Sequence, residues 1–287
     1  MAYSDSKTIV STKWLAEHIN APDIRILDAS WFLPVSQRDP LEEYEECHIP
    51  GARFFDIDDV SDSNSELPHM APPLEKFMSR MRKMGIGDGH RVIVYDSAGI
   101  VSAPRVWWMF RLMGQTDVAV LDGGLMKWLR DGYDTEDMAP VIRDRHMTAR
   151  RNALLVKDVT QVALASKLRQ AEIVDARSVA RFTGAEEEPR EGLRRGHIPN
   201  SINVYHGDLI TREGTMKPVD ELKTIFEAAG VDLSRPIITT CGSGVTACVL
   251  DLALERIGHR DHSVYDGSWS EWGMYNDLNV ETGEANV

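Results

Sequence analysis

The chain has 287 residues, of which 43% are hydrophobic, and its formal net charge is −13 at pH 7. This length suits two domains with separate cores, and the negative charge argues against nonspecific binding to nucleic acid. Three cysteines in so long a chain indicate a reducing compartment rather than a disulfide framework. Residues 1–10 lack the features of a signal peptide, and no apolar run reaches the ~20 residues of a membrane span. We therefore expect a soluble, cytoplasmic protein that does not bind membranes.

The first half of the chain alternates strand-like and helix-like segments. Apolar residues recur at helical spacing in Trp14–Ile19 and in Leu74–Met84, whereas Ile24–Ser30 and Arg91–Ile100 begin with runs typical of buried strands. The second half has the same alternation, with helical spacing in Val159–Leu168 and in residues 220–229. Such alternation predicts parallel sheets covered by helices.

The two halves also share short segments in the same order, which indicates a duplication. The pairs are Ile24–Ser30 with Ala171–Ser178, Cys47–Ala52 with Gly196–Ser201, Arg91–Ile100 with the segment that contains Cys241, and Val120–Gly124 with Val264–Ser268. We therefore predict an α/β fold with two similar domains, each a parallel sheet covered by helices on both faces. Regular spacing lapses in residues 134–152, so we place the domains at residues 1–140 and 141–287.

Cys241 is the candidate nucleophile. It ends the strand-like run Ile237–Thr240 and precedes a Gly-Ser-Gly turn and the helix-like segment Val245–Gly258. The N-terminus of a helix favours an anion such as a thiolate by ~0.3–1 kcal/mol, and glycines at 242 and 244 allow the loop amides to converge beside the sulfur. The alternative is a structural cysteine in the core. In the first half, Asp96 stands where Cys241 stands in the second.

These segments resemble the tandem rhodanese-type sulfurtransferases, and within them the 3-mercaptopyruvate sulfurtransferases. The resemblance extends from about Thr8 to Asp277 and rests on the two His-Ile-Pro motifs, the Asp-Gly-Gly and Asp-Gly-Ser segments, and the run Cys241–Thr246. Rhodaneses that prefer thiosulfate usually place basic residues just after the cysteine, whereas residues 242 and 243 are neutral here. The resemblance implies a catalytic second domain and a first domain that is inactive, with Asp96 at the cysteine position.

The resemblance also implies which residues bind the substrate. Two arginines would grip the carboxylate and ketone of a 2-oxo acid, and they correspond to Arg181 and Arg190. Guanidinium groups suit this task because they pair two oxygens in one plane. The loop would contribute Gly242, Gly244, Val245 and Thr246 to substrate binding. The alternative for the arginines is a solvated loop, because several glutamates surround them.

A third implication of the resemblance is a proton relay like that of serine proteases. Its members would be Asp58, His69 and the loop residue Ser243, and the serine would protonate the enolate left when sulfur departs. The alternative is that Asp58 and His69 are ordinary polar loop residues. His48 and His197 occur once in each half, so we predict that both are structural.

The predicted activity is transfer of sulfur from 3-mercaptopyruvate through a Cys241 persulfide, with release of pyruvate. The acceptor would be thioredoxin, a small thiol or cyanide, and neither a metal nor an organic cofactor is expected. The alternatives are a thiosulfate:cyanide sulfurtransferase and a persulfide carrier in a sulfur relay. A cysteine phosphatase is disfavoured, because its loop needs an arginine where Ala247 stands. We expect a monomer, since the two halves can bury their own faces.

Overall fold

A computed structural model describes residues 7–284. Residues 1–6, on which the prediction of no signal peptide partly rests, lie outside this range. Backbone contacts divide the chain into two units. The first comprises the chain up to Ser63, Ala71–Asn152 and Thr211–Met216, and the second comprises Asn64–Met70, Ala153–Ile210 and the chain from Lys217 onward. Within residues 7–284, no helix has the length and apolar character needed to cross a membrane.

The first unit is a parallel sheet of five strands flanked by helices, with strand order β1-β5-β4-β2-β3. The strands are β1 Ile9–Val10, β2 Ile24–Asp28, β3 Ala52–Phe54, β4 Arg91–Tyr95 and β5 Val118–Leu121. The helices are α1 Thr12–His18, α2 Pro40–Glu46, α3 Leu74–Lys83, α4 Ala103–Leu112 and α5 Gly124–Arg130, with a 3₁₀ turn at Pro34–Ser36.

The second unit repeats this plan, with strand order β6-β10-β9-β7-β8, again all parallel. The strands are β6 Val156–Lys157, β7 Glu172–Asp175, β8 Ser201–Asn203, β9 Ile237–Thr240 and β10 His262–Tyr265. The helices are α6 Val159–Leu168, α7 Val179–Thr183, α8 Val219–Ala228, α9 Ala247–Arg256 and α10 Ser268–Trp272, with 3₁₀ turns at Ala153–Leu155 and His206–Leu209. The predicted α/β fold with two parallel sheets is thus confirmed.

Helix α6 has the bounds that its apolar spacing predicts, because a reciprocal cap fixes its start: Asp158 accepts from the Gln161 N–H, and the Gln161 side chain accepts from the Asp158 N–H. Helix α9 instead begins two residues later than predicted. Gly244 has a φ of +78°, which keeps the end of the preceding loop out of the helix. The loop after Cys241 is therefore longer than the sequence pattern indicates.

The two His-Ile-Pro motifs occupy equivalent places and are structural, as predicted. His48 and His197 are 0% and 1% exposed. His48 stacks on Tyr44 and His197 on Phe182, with ring centroids 4.1 and 3.9 Å apart. In each pair, Nδ1 of the histidine bonds to the carbonyl oxygen of the aromatic residue.

Candidate active site

The cysteine loop, residues 241–246, connects β9 to α9 at the carboxyl end of the second sheet. The Cys241 side chain is buried, with the residue 2% exposed. The Cys241 N–H donates to Ser268 Oγ at 3.1 Å. The Gly242 carbonyl accepts from both the N–H and the Oγ of Ser270, at 2.8 and 2.7 Å. The turn at the start of α10 therefore holds the first two residues of the loop in place.

Three later N–H groups of the cysteine loop differ from that of Cys241, because they have no acceptor among the described residues. Among the described residues, no acceptor is bonded to the N–H of Ser243, Val245 or Thr246. These groups precede α9, a helix of 10 residues, so the positive end of its dipole adds to theirs. Unpaired N–H groups beside a helix N-terminus suit an anion at the cysteine sulfur.

The matching loop of the first unit shows where such N–H groups point. Asp96 follows β4, the strand that holds the place of β9, and its carboxylate is fully buried. Its Oδ2 accepts from the N–H groups of Val101, Ser102 and Ala103 at 2.9, 3.0 and 2.8 Å, and its Oδ1 accepts from Ala98 at 3.0 Å. The loop amides of the first unit thus converge on an anion that the chain itself supplies.

Arg181 lies directly against the cysteine loop. A Cβ added to Gly242 would stand 2.8 Å from Arg181 Nη2. Arg181 comes from α7, and its Nε and Nη2 both donate to the Glu188 carboxylate, which is 2% exposed. The Arg181 side chain is 19% exposed, so part of it remains open to solvent. The structure thus places this guanidinium beside Gly242, and its role in substrate binding stays a prediction.

Glu188 is a residue whose importance the sequence did not reveal. Its carboxylate also accepts from Arg177 Nη1 at 2.7 Å, and Arg177 is itself paired with Asp175 at 2.7 Å. The Arg177 guanidinium is fully buried and lies 4.4 Å from the centroid of the Trp269 ring. Burial lowers the pKa of Arg177, but Asp175 and Glu188 outweigh burial and raise it. The run of glutamates is therefore not simply a solvated loop, because one of them fixes Arg181 from within the protein.

Arg190 and His69 meet in the second unit. Arg190 Nη2 is 3.2 Å from His69 Nε2, and a guanidinium can only donate, so Nε2 is the acceptor. His69 is 4% exposed and has a φ of +62°. Asp58 belongs to the first unit, where it accepts from Trp31 Nε1 at 3.1 Å. The relay of Asp58, His69 and Ser243 stays a prediction.

Comparison with known proteins gives the family. A model of the rhodanese-like domain matches residues 11–131 and, a second time, residues 160–275. The chain belongs to the rhodanese family. The first match contains the Asp96 loop and the second contains the cysteine loop, so each half of the duplication is one rhodanese-like domain.

Relatives and a solved structure agree with this assignment. The 3-mercaptopyruvate sulfurtransferase of Escherichia coli (strain K12) is 47% identical over 273 residues, which cover 95% of this chain and 97% of that protein. The thiosulfate sulfurtransferase of Mus musculus is 41% identical over 93% of this chain and 92% of its own. The crystal structure of SseA from Escherichia coli, described as a 3-mercaptopyruvate sulfotransferase with the rhodanese fold, is 44% identical, with a TM-score of 0.85 over 92% of this chain and 99% of SseA.

His206 lies close enough to Arg181 to feel its charge, and the sequence did not single it out. It begins the 3₁₀ turn after β8, at the same edge of the sheet as the cysteine loop. Burial and the positive charge of Arg181 lower the pKa of His206 to about 4, so its imidazole is neutral at neutral pH. The only indication in the sequence was that His206 follows a parallel strand, the end of the sheet where ligands bind.

In the part of the chain that is described, no group of three metal-binding side chains is placed to hold a metal ion.

Proposed function

We propose that this rhodanese is a 3-mercaptopyruvate sulfurtransferase that carries sulfur as a persulfide on Cys241. The observation that carries the proposal is the contact between Arg181 and the cysteine loop, where the guanidinium lies against Gly242. A 2-oxo acid needs a planar cation for its carboxylate and ketone, whereas the loop itself contains no basic residue. The identity to the Escherichia coli enzyme supports the same donor.

The first half-reaction forms a sulfur–sulfur bond and breaks a carbon–sulfur bond. The Cys241 thiolate attacks the sulfur of 3-mercaptopyruvate, and the electron pair of the C–S bond moves to C3. This gives Cys241 persulfide and the enolate of pyruvate, which takes up one proton. Arg181 and Arg190 hold the carboxylate and ketone, and Ser243 supplies the proton as a member of the proposed relay with His69 and Asp58.

The second half-reaction returns the thiolate. The acceptor, a small thiol, thioredoxin or cyanide, attacks the outer sulfur of the persulfide, and the electron pair of the S–S bond stays on Cys241. Both half-reactions place negative charge on sulfur. The N–H groups of Ser243, Val245 and Thr246, together with Gly242 and Gly244, stabilise this charge.

The first domain holds the same fold without this chemistry. The carboxylate of Asp96 occupies its loop and is not a nucleophile for sulfur transfer. Four N–H groups bond to this carboxylate and hold it in place. We propose that the catalytic domain is residues 141–287 and that residues 1–140 form an inactive rhodanese-like domain.

Thiosulfate:cyanide sulfurtransferase is the second candidate function, because the mouse enzyme of that name is 41% identical. Thiosulfate lacks both the carboxylate and the ketone that these two arginines are proposed to hold. The two functions therefore differ in their dependence on Arg181 and Arg190. A persulfide carrier would receive its sulfur from a partner protein, so it would need neither arginine.

The test measures pyruvate release from 3-mercaptopyruvate beside thiocyanate formation from thiosulfate and cyanide. We expect fast pyruvate release, weak thiocyanate formation, and loss of both in Cys241→Ser but not in the control Cys47→Ser. Arg181→Ala and Arg190→Ala should each lower kcat/KM for 3-mercaptopyruvate by about tenfold to a thousandfold.

The matched control for the arginines is Arg195→Ala, because Arg195 is 49% exposed and forms an ion pair with the surface residue Glu187. It should leave kcat/KM unchanged. Strong thiocyanate formation that is indifferent to Arg181 would favour the second candidate. Absence of both activities would favour the persulfide carrier.

A further inference from the structure

A second basic site lies in the first unit, away from the carboxyl ends of its strands. Four arginines line a cavity of ≈ 320 Å³: Arg25, Arg53, Arg143 and Arg145. They come from three separate stretches of sequence, so the cluster is a product of folding. In a chain with a net charge of −13, so dense a group of cations is a local exception.

The walls of the cavity are fixed by the fold. Arg25 lies on β2 and Arg53 on β3, and the register pairs Leu27 with Arg53, so both arginines extend from the same face of the sheet. Arg25 Nε donates to the carbonyl of Gly85, just after α3, at 3.1 Å. The first two arginines are thus anchored on strands, next to the turn that leads from α3 to β4.

The other two arginines belong to a segment that packs onto that turn. The Asp88 N–H donates to the His146 carbonyl at 2.9 Å, and a Cβ on Gly87 would stand 2.2 Å from the same oxygen. Because of this close approach, glycine is the residue that fits at position 87. The backbone next to Arg145 is therefore held, while the Arg143 and Arg145 side chains remain exposed.

The hydrogen-bond acceptors of Arg25 and Arg53 are backbone carbonyls. Within residues 7–284, none of the four arginines forms an ion pair with a carboxylate. Arg53 Nη1 donates to the Gly51 carbonyl at 2.9 Å, but its Nε is buried with no hydrogen-bond acceptor in that range. A buried donor without an acceptor costs stability unless a ligand satisfies it.

The cations also repel one another. Burial and the charge of Arg145 lower the pKa of Arg25 and outweigh Asp23, which raises it. Burial and the charge of Arg25 lower the pKa of Arg53. The nearby His90 has a lowered pKa because of burial and the positive charges of these same arginines. Repulsion of this kind is relieved by an anion that contacts several guanidinium groups at once.

We propose that this cavity binds a compact polyanion of the phosphate class, with two or more linked phosphoryl groups. Guanidinium groups bind phosphate oxygens in pairs, and several of them suit a ligand with several charges better than a single carboxylate. The cavity has room for a di- or triphosphate. The site is independent of the proposed sulfur chemistry, because all of its lining residues belong to the first unit.

The test is calorimetric titration of the whole Cys241→Ser chain with inorganic pyrophosphate, triphosphate, orthophosphate and ATP at constant ionic strength. We expect pyrophosphate or triphosphate to bind with a Kd of about 0.1 mM or below, and orthophosphate at least about tenfold more weakly. Equal affinity for triphosphate and ATP would mean that the phosphates alone are recognised. Tighter binding of ATP would identify a nucleotide as the ligand.

Two variants and a control assign the binding to the cavity. Arg53→Gln and Arg145→Gln should each weaken pyrophosphate binding by about tenfold. Arg145 is exposed, so its variant tests the site even if Arg53→Gln disturbs folding. Arg151→Gln, an exposed arginine of the same unit that does not line the cavity, should have no effect. No binding of any polyphosphate, or equal losses in the control, would overturn the proposal.

Discussion

Replacing Gly242 by alanine tests the contact between Arg181 and the cysteine loop. The added Cβ would stand 2.8 Å from Arg181 Nη2, closer than such atoms approach in proteins. Gly242 does not have a positive φ, so the change adds no backbone strain of its own. The guanidinium must move instead, although Glu188 holds its Nε and Nη2.

The size of the effect follows from this geometry. The Arg181 side chain is 19% exposed and can retreat toward solvent, so the loss of unfolding free energy should stay near ~1 kcal/mol, at the low end for overpacking. Catalysis is more sensitive, because misplacing a binding group by ~1 Å costs about a hundredfold in rate. We expect kcat/KM for 3-mercaptopyruvate to fall about a hundredfold, or about 2.7 kcal/mol.

A double-mutant cycle separates this cause from a general disturbance of the loop. The rates of pyruvate release would be compared for the wild type, Gly242→Ala, Arg181→Ala and the double variant. If the alanine acts by displacing Arg181, it should cost less than about threefold once that side chain is gone. An undiminished hundredfold loss in the Arg181→Ala background would refute the reasoning.

Two further predictions concern buried charges outside the catalytic loop. Asp96→Ala removes the acceptor of four N–H groups, of which those of Ser102 and Ala103 are in buried hydrogen bonds. It should lower the unfolding free energy by about 3 kcal/mol or more in urea titrations, whereas a loss within about 0.5 kcal/mol would contradict this. Burial lowers the pKa of His262, but Asp251 and Glu255 outweigh burial and raise it to about 9. Because this value exceeds the ordinary ~6.5, the protonated His262 stabilises the fold fully below about pH 6.5, and the contribution is lost as pH rises through about 9. The wild type should therefore lose more unfolding free energy than His262→Gln between these pH values, and equal losses would contradict the assignment.

The sequence predicted those features that local patterns determine. Strand β9, Cys241 and the helix after it follow from an apolar run, a glycine turn and apolar residues at helical spacing. The duplicated segments predicted two similar parallel sheets, and the comparison of the two halves identified Asp96 as the counterpart of Cys241. The presence of Asp96 at the place of the cysteine was visible without coordinates.

The features that the sequence left open depend on burial and on contacts between distant segments. Glu188 lies in a run of charged residues that is typical of a solvated surface, yet its carboxylate is 2% exposed and holds Arg177 and Arg181. Ser268 and Ser270 fix the cysteine loop from a turn far along the chain. Nothing local in the sequence indicates that Glu188 is buried, and the two serines reach the loop because β10 pairs with β9 in the sheet.

The most direct test of the central claim is a single-turnover experiment without an acceptor. The protein would be mixed with an equimolar amount of 3-mercaptopyruvate, because an excess of this small thiol would itself act as acceptor. Both the released pyruvate and the mass of the peptide that contains Cys241 would be measured. The account predicts a burst of about one pyruvate per chain, with the mass of one sulfur atom added to that peptide. Pyruvate release that leaves Cys241 without added sulfur, or undiminished release by Cys241→Ser, would contradict it.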